Sequence, residues 1–102
     1  MQNITVAELK SRIDAGEKLN LVDVREPHEH AEFNIGGLLL PLGNVRMMQI
    51  DDIDDLKGEE VIVYCRSGNR SGQACMVLEQ YGFSNLKNLQ GGMLEWEATF
   101  GR

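Results

Sequence analysis

Apolar residues along the chain fall into two rhythms, short β-branched runs and segments of helical spacing, separated by turns that carry glycine or proline. That alternation predicts an α/β domain on a mainly parallel sheet with helices on both faces. Thr5 and Glu8 stand at capping-box spacing, Ile4 and Leu9 at hydrophobic-staple positions, and Gly16 at the stop of a first helix. Val6, Leu9 and Ile13 share its inner face. Leu19–Val24 reads as a strand, and Pro27 suits the first turn of a helix running to about Phe33. Gly36-Gly37 leads into a short strand, Leu38–Leu40, closed by Pro41, and the spacing then predicts a weaker helix over Val45–Leu56. Val61–Cys65 is apolar on both faces, as the centre of a helix-covered sheet must be. Ala74, Cys75, Leu78 and Tyr81 mark the buried stripe of a helix from Ser71 to Tyr81, ended by Gly82. Asn85–Leu89 reads as a last strand, and Gly91-Gly92 precede a terminal helical turn around Trp96. The pattern amounts to about five strands and five helical segments.

Composition narrows the function. The 102 residues suit one domain, 1–102, and the formal charge of −6 argues against a nucleic-acid partner, since phosphate binding needs a basic face. No apolar run approaches the ~18 residues of a membrane span, and Pro41 interrupts Leu38-Leu39-Leu40 at once. The amino-terminal residues lack a basic segment followed by an apolar one, so no secretory leader is predicted. Two cysteines cannot frame a disulfide scaffold, and the expected setting is a reducing cytoplasm with free thiols.

Chemistry concentrates at Cys65. The pattern puts it at the carboxyl end of the most apolar strand, where ligands of open α/β sheets sit, and just before a helix start. A helix start offers partial positive charge and free N–H groups. Gly68 allows the backbone to curl into an anion-binding nest, and Arg66 and Arg70 add formal charge. Such surroundings lower a thiol's pKa and make it a nucleophile. This reading requires a sulfur open to solvent and peptide N–H groups turned inward.

Other residues read more quietly. Cys75 belongs to a packing stripe, with a resolving-thiol role as the alternative. His28 and His30, two apart on a helix, lack metal-ligand spacing and are expected on a solvated face with Glu29 and Glu32. Asp51, Asp52, Asp54, Asp55, Glu59 and Glu60 are expected to form a solvated acidic face. Asp23 and Arg25, at a strand's carboxyl end, are expected to support the Cys65 loop from the same rim, and Gly91 to Trp96 to form one wall of the pocket.

Cys65-Arg66-Ser67-Gly68-Asn69-Arg70-Ser71 resembles the active-site loop of rhodanese-like sulfurtransferases. Leu21 to Glu26 is similar to the family's Asp-x-Arg-Glu strand end, Ile35-Gly36-Gly37 through Pro41-Leu42 to its Ile-x-Gly…Pro-Leu stretch, and Gly91 to Trp96 to its Gly-Gly-x-x-x-Trp. Asn34 departs from the family's usual Gly-His before the isoleucine. The resemblance implies a five-stranded rhodanese-like fold and a two-step sulfur relay with no metal or organic cofactor. In that relay the Cys65 thiolate takes the outer sulfur of a small anionic donor such as thiosulfate. A thiophilic acceptor (cyanide, a thiol or a thioredoxin-like protein) then removes it. Arg66 would meet the donor, Arg70 would anchor the loop, and amides from Arg66 through Ser71 would hold the transferred sulfur. Cysteine-dependent phosphatases place five residues between Cys and Arg; here Cys65 and Arg70 enclose four, and Tyr64 stands where their His would.

Overall fold

Strand β4 (Glu60–Tyr64) divides the core in two. Its alternate side chains point to opposite faces. Val61, Val63 and the following Cys65 enter one apolar cluster, Ile62 and Tyr64 another. Around it the computed structural model, which describes residues 1–102, arranges β1 (Gln2–Ile4), β2 (Leu21–Asp23), β3 (Leu38–Leu39) and β5 (Asn85–Leu89) in the order β1-β5-β4-β2-β3. Every pairing is parallel, so the expected mainly parallel sheet is wholly so.

Helices cover both faces. On one lie α3 (Leu42–Arg46), a 3-10 helix (Asp51–Leu56) and α4 (Asn69–Gln80), with Val45, Ile53, Ala74, Cys75 and Leu78 fully buried. On the other lie α1 (Val6–Asp14) and α5 (Gly92–Phe100), burying Leu9, Met93 and Trp96 against Ile62 and Tyr64. The short α2 (Pro27–Glu32) follows β2. The capping box forms as the spacing predicts: Glu8 donates its amide to the Thr5 hydroxyl, and the Thr5 amide reaches the Glu8 carboxylate.

Four expectations change. The helix expected over Val45–Leu56 is two elements, because Ile50, Ile53 and Leu56 recur every third residue, the period of a 3-10 helix. Met48 between them takes a left-handed φ of 60° that interrupts any continuous helix. The strand read as Leu19–Val24 narrows to Leu21–Asp23, although Val24 still donates to the Tyr64 carbonyl. The amino terminus adds an edge strand that its polar residues conceal, since only Ile4 of β1 is buried. The terminal turn around Trp96 is a full nine-residue helix.

Candidate active site

Cys65 follows β4 directly, and α4 begins four residues later, two earlier than expected. The turn between them needs Gly68, which takes φ 97° as the residue before the helix. That conformation turns the Gly68 amide back onto the Cys65 sulfur at 3.1 Å, and the Ser71 hydroxyl lies 3.3 Å from the same atom. Burial pushes the thiol's pKa up, but the Ser71 hydroxyl and the amides of Ser71, Gly68 and Ser67 outweigh it, and the net shift is down.

The charge expected to do this is arranged differently. Arg70 reaches back to α2 and forms a two-pronged pair with Glu29, at 2.8 and 2.9 Å, which holds the Glu29 carboxyl at about 2. Its charge is therefore compensated, and hydrogen bonds more than arginines favour the thiolate. The pair does tie the loop to α2, the anchoring expected of Arg70. Arg66 is exposed, pairs with no carboxylate, and borders a cavity of about 190 Å³ between α2 and α5. Met93, Leu94 and Glu97 form the α5 wall of that cavity; the first two belong to the stretch expected to wall the site, but Cys65 itself does not line the cavity. Ser67 and Asn69 are exposed, and the Asn69 side chain accepts from Gln73 within α4.

One expectation is reversed. Cys65 has 0% of its surface exposed, so the sulfur lies closed beneath an exposed loop instead of in an open cradle. It joins the main apolar cluster through its position in the β4 alternation, and the loop is clamped over it from two sides. From α5, the Met93 amide donates to the Cys65 carbonyl and the Leu94 amide to the Arg66 carbonyl, each at 2.9 Å. This approach explains the glycine pair: a Cβ on Gly92 would lie 2.5 Å from the Cys65 carbonyl oxygen. The inward amides required at the sulfur are present; the solvent access is not.

Asp23 and Arg25 are buried and act through α2, not on the loop directly. Arg25 forks onto the Asp23 carboxylate, at 3.0 and 2.9 Å, and donates to the Phe33 carbonyl at 2.7 Å. His30 leaves the solvated face expected for it and puts Nδ1 2.8 Å from the same carboxylate; His28 stays exposed. This network fixes α2, and α2 carries the Glu29 that holds Arg70. Glu60 also leaves the expected acidic face, half-buried between Arg12 and Lys87, while Asp51, Asp52, Asp54, Asp55 and Glu59 are exposed. Cys75 is free and fully buried, packed as expected. No group of three His, Cys, Asp or Glu side chains is placed to hold a metal, and no helix is long and apolar enough to cross a membrane.

Two partners were not legible in the sequence. Glu29, midway along α2 and expected on a solvated face, is partly buried and meets Arg70 only through the fold. Asn88 of β5 accepts from the Ser71 hydroxyl and donates to the Gly68 carbonyl at 3.0 Å. Its signal was a polar residue two places from Leu86, on the strand face that the alternation assigns to the core.

Known proteins agree with this architecture. The family model described as "Rhodanese-like domain" matches residues 5–99. The Bacillus subtilis (strain 168) protein YtwF is 39% identical over 99 residues, covering 95% of this chain and 91% of the relative. An Allochromatium vinosum protein named "Sulfurtransferase" is 38% identical over 99 residues, 94% of this chain and 88% of its own. The crystal structure of a rhodanese-like domain protein from Staphylococcus aureus superposes with a TM-score of 0.81 at 31% identity, over 94% of this chain and 91% of that one.

Proposed function

Since the chain belongs to the rhodanese-like domain family, we propose that it is a sulfurtransferase with Cys65 as nucleophile. The observation that carries this reading is the pair of donors on the sulfur, the Gly68 amide and the Ser71 hydroxyl, in a thiol otherwise enclosed by apolar groups. The name of the Allochromatium vinosum relative supports the same reaction class.

In the first step the Cys65 thiolate attacks the outer sulfur of thiosulfate or of a related persulfide donor. A new sulfur–sulfur bond forms, the donor's own bond to that sulfur breaks, and its electron pair leaves with sulfite or the donor thiol. In the second step cyanide, a thiol or a reduced thioredoxin-like protein attacks the terminal sulfur and restores the thiolate. Ser67, Gly68 and Ser71 stabilise the negative sulfur with their N–H and O–H groups. Arg66, unpaired at the cavity mouth, receives the anionic donor. Because the sulfur is covered, transfer requires the loop above it, exposed at Arg66 and Ser67, to move aside for the donor against its anchors to α5 and, through Arg70, to Glu29. Neither step needs a metal or an organic cofactor. Two free thiols suit a reducing compartment such as the cytoplasm.

The ring between Cys65 and Arg70 encloses four residues, one fewer than in cysteine-dependent phosphatases, and favours a single terminal sulfur over a tetrahedral phosphate. The test is thiocyanate formation from thiosulfate and cyanide, run beside aryl phosphate hydrolysis. Thiocyanate with no phosphate release is expected; phosphate release alone overturns the proposal, and no reaction of either kind points to a binding module.

A further inference from the structure

The end of the loop holds a hydroxyl with more acceptors than protons. Ser71 is fully buried, and its Oγ lies 3.3 Å from the Cys65 sulfur and also against Oδ1 of Asn88. A serine hydroxyl has one proton to give. The Asn88 amide is oriented from its other end: Nδ2 lies 3.0 Å from the Gly68 carbonyl oxygen, which can only accept. Nitrogen must therefore face Gly68 and oxygen must face Ser71. Ser71 is the only donor to that oxygen. An amide oxygen and a sulfur compete for a single proton.

We propose that Asn88 is a positioning residue that restrains Cys65 ionisation by holding the Ser71 hydroxyl proton. With Cys65 as a thiol, S–H donates to Ser71 Oγ and the Ser71 hydroxyl donates to Asn88, so each group has a partner. When Cys65 gives its proton to a solvent base, the hydroxyl rotates to the thiolate, because a hydrogen bond to a charged sulfur is the stronger one. Asn88 Oδ1 is then left without a donor in a site only 8% exposed. That orphaned acceptor opposes ionisation. The restraint has a use, since a thiol attacks best when its pKa stays near ambient pH and its sulfur keeps its intrinsic nucleophilicity. The proposal rests on Cys65 being the nucleophile, but its test does not need sulfur transfer.

The loop has anchors besides Asn88. The Gly68 carbonyl also accepts from the Gly72 amide at 3.1 Å, α5 holds the carbonyls of Cys65 and Arg66, and Glu29 holds Arg70. The other titratable groups that feel the Cys65 charge are Arg70, already paired with Glu29, and Cys75, which burial keeps protonated up to about 12. Arg66 is adjacent but exposed, and β5 turns Lys87 to its opposite face, paired with Glu60. Neither Arg70 nor Cys75 touches Asn88.

The experiment is an ultraviolet titration of the Cys65 thiolate, with the Cys65→Ser protein subtracted. Asn88→Leu is expected to increase the ionisation constant by about tenfold, because the Ser71 proton no longer has a second acceptor. Ser71→Ala lowers that constant, and adding Asn88→Leu to Ser71→Ala changes nothing further. An unchanged or lowered constant in folded Asn88→Leu overturns the proposal and makes Asn88 a packing group. Should Asn88→Leu not fold, the side-chain amide resonances of Asn88 in the unaltered protein decide. They are expected to move with the Cys65 midpoint, and resonances that ignore it overturn the proposal. A failure here leaves the thiocyanate result intact, so the two readings are separable.

Discussion

Cys65 and Cys75 stand ten residues apart, and both have 0% exposed surface in the same apolar cluster. Their thiols are nevertheless shifted in opposite directions. Cys75 is pushed up to about 12, by burial first and then by Glu79, whereas Cys65 is lowered against the same burial. The difference lies in what meets the sulfur. Cys75 sits in the middle of α4, where the backbone amides are used by the helix, while Cys65 faces a helix start whose amides have no partner within the helix. Burial alone therefore does not separate an inert thiol from an activated one. The local supply of donors does.

The sharpest way to break the comparison is to exchange the sulfur. Cys65→Ser is expected to reduce sulfur transfer to background with the fold retained, as read by thiocyanate formation and thermal unfolding. Cys75→Ala should leave transfer nearly unchanged and cost on the order of 1 kcal/mol in denaturant stability, the scale for removing a small buried group. If Cys75→Ala abolished transfer instead, the contrast drawn between the two thiols would collapse.

Next in size is the α5 clamp. Gly92→Ala places a Cβ against the carbonyls of Cys65 and Arg66 and puts a side chain at φ 58°. Strain of roughly 1–3 kcal/mol is expected, together with lost transfer. Full activity in a folded Gly92→Ala protein would show that the loop does not need its present position. Glu29→Gln acts at the other clamp and is expected to lower kcat/KM several-fold by releasing Arg70, while the Cys65 titration barely moves. A large movement of that titration would return the arginine to the leading electrostatic role.

The two thiols also predict opposite dependences of stability on pH. A free cysteine titrates near ~8.5. The folded state lowers Cys65, so its contribution is fully present above ~8.5 and is lost as pH falls through the folded value. Cys75 is raised to about 12, so its contribution is present below ~8.5 and is lost as pH rises toward that value. Denaturant titrations across alkaline pH should show a decline that Cys75→Ala reduces. A decline of the same size in Cys75→Ala would assign it to other groups, Tyr64 first, whose hydroxyl burial also pushes up to about 12.

What the sequence revealed follows from the range of the interactions involved. Thr5 and Glu8, the doubly apolar β4, and the glycine turn after Cys65 are local patterns; the first two form as read, while the turn leads into a helix two residues early and its Arg70 pairs with Glu29. The division of the segment from Val45 to Leu56 was also local, but a three-residue period is easily taken for a helical one. Edge strand β1 was hidden because an edge buries little, leaving Ile4 as its only apolar mark. The partners Glu29–Arg70, Asp23–His30 and Ser71–Asn88 join residues 41, 7 and 17 positions apart. The first and last of these depend on strand order and the middle one on how α2 folds back; none follows a fixed spacing. The closure of Cys65 was missed for a related reason. A helix start and a glycine indicate where donors gather, whereas solvent access depends on how α5 packs across the loop.

The most direct test of the central claim is the mass of the protein after incubation with thiosulfate. The account predicts one added sulfur, located on the peptide that contains Cys65 and removed by cyanide or a thiol, with Cys75 unmodified. A protein of unchanged mass, or sulfur carried on Cys75, would contradict it.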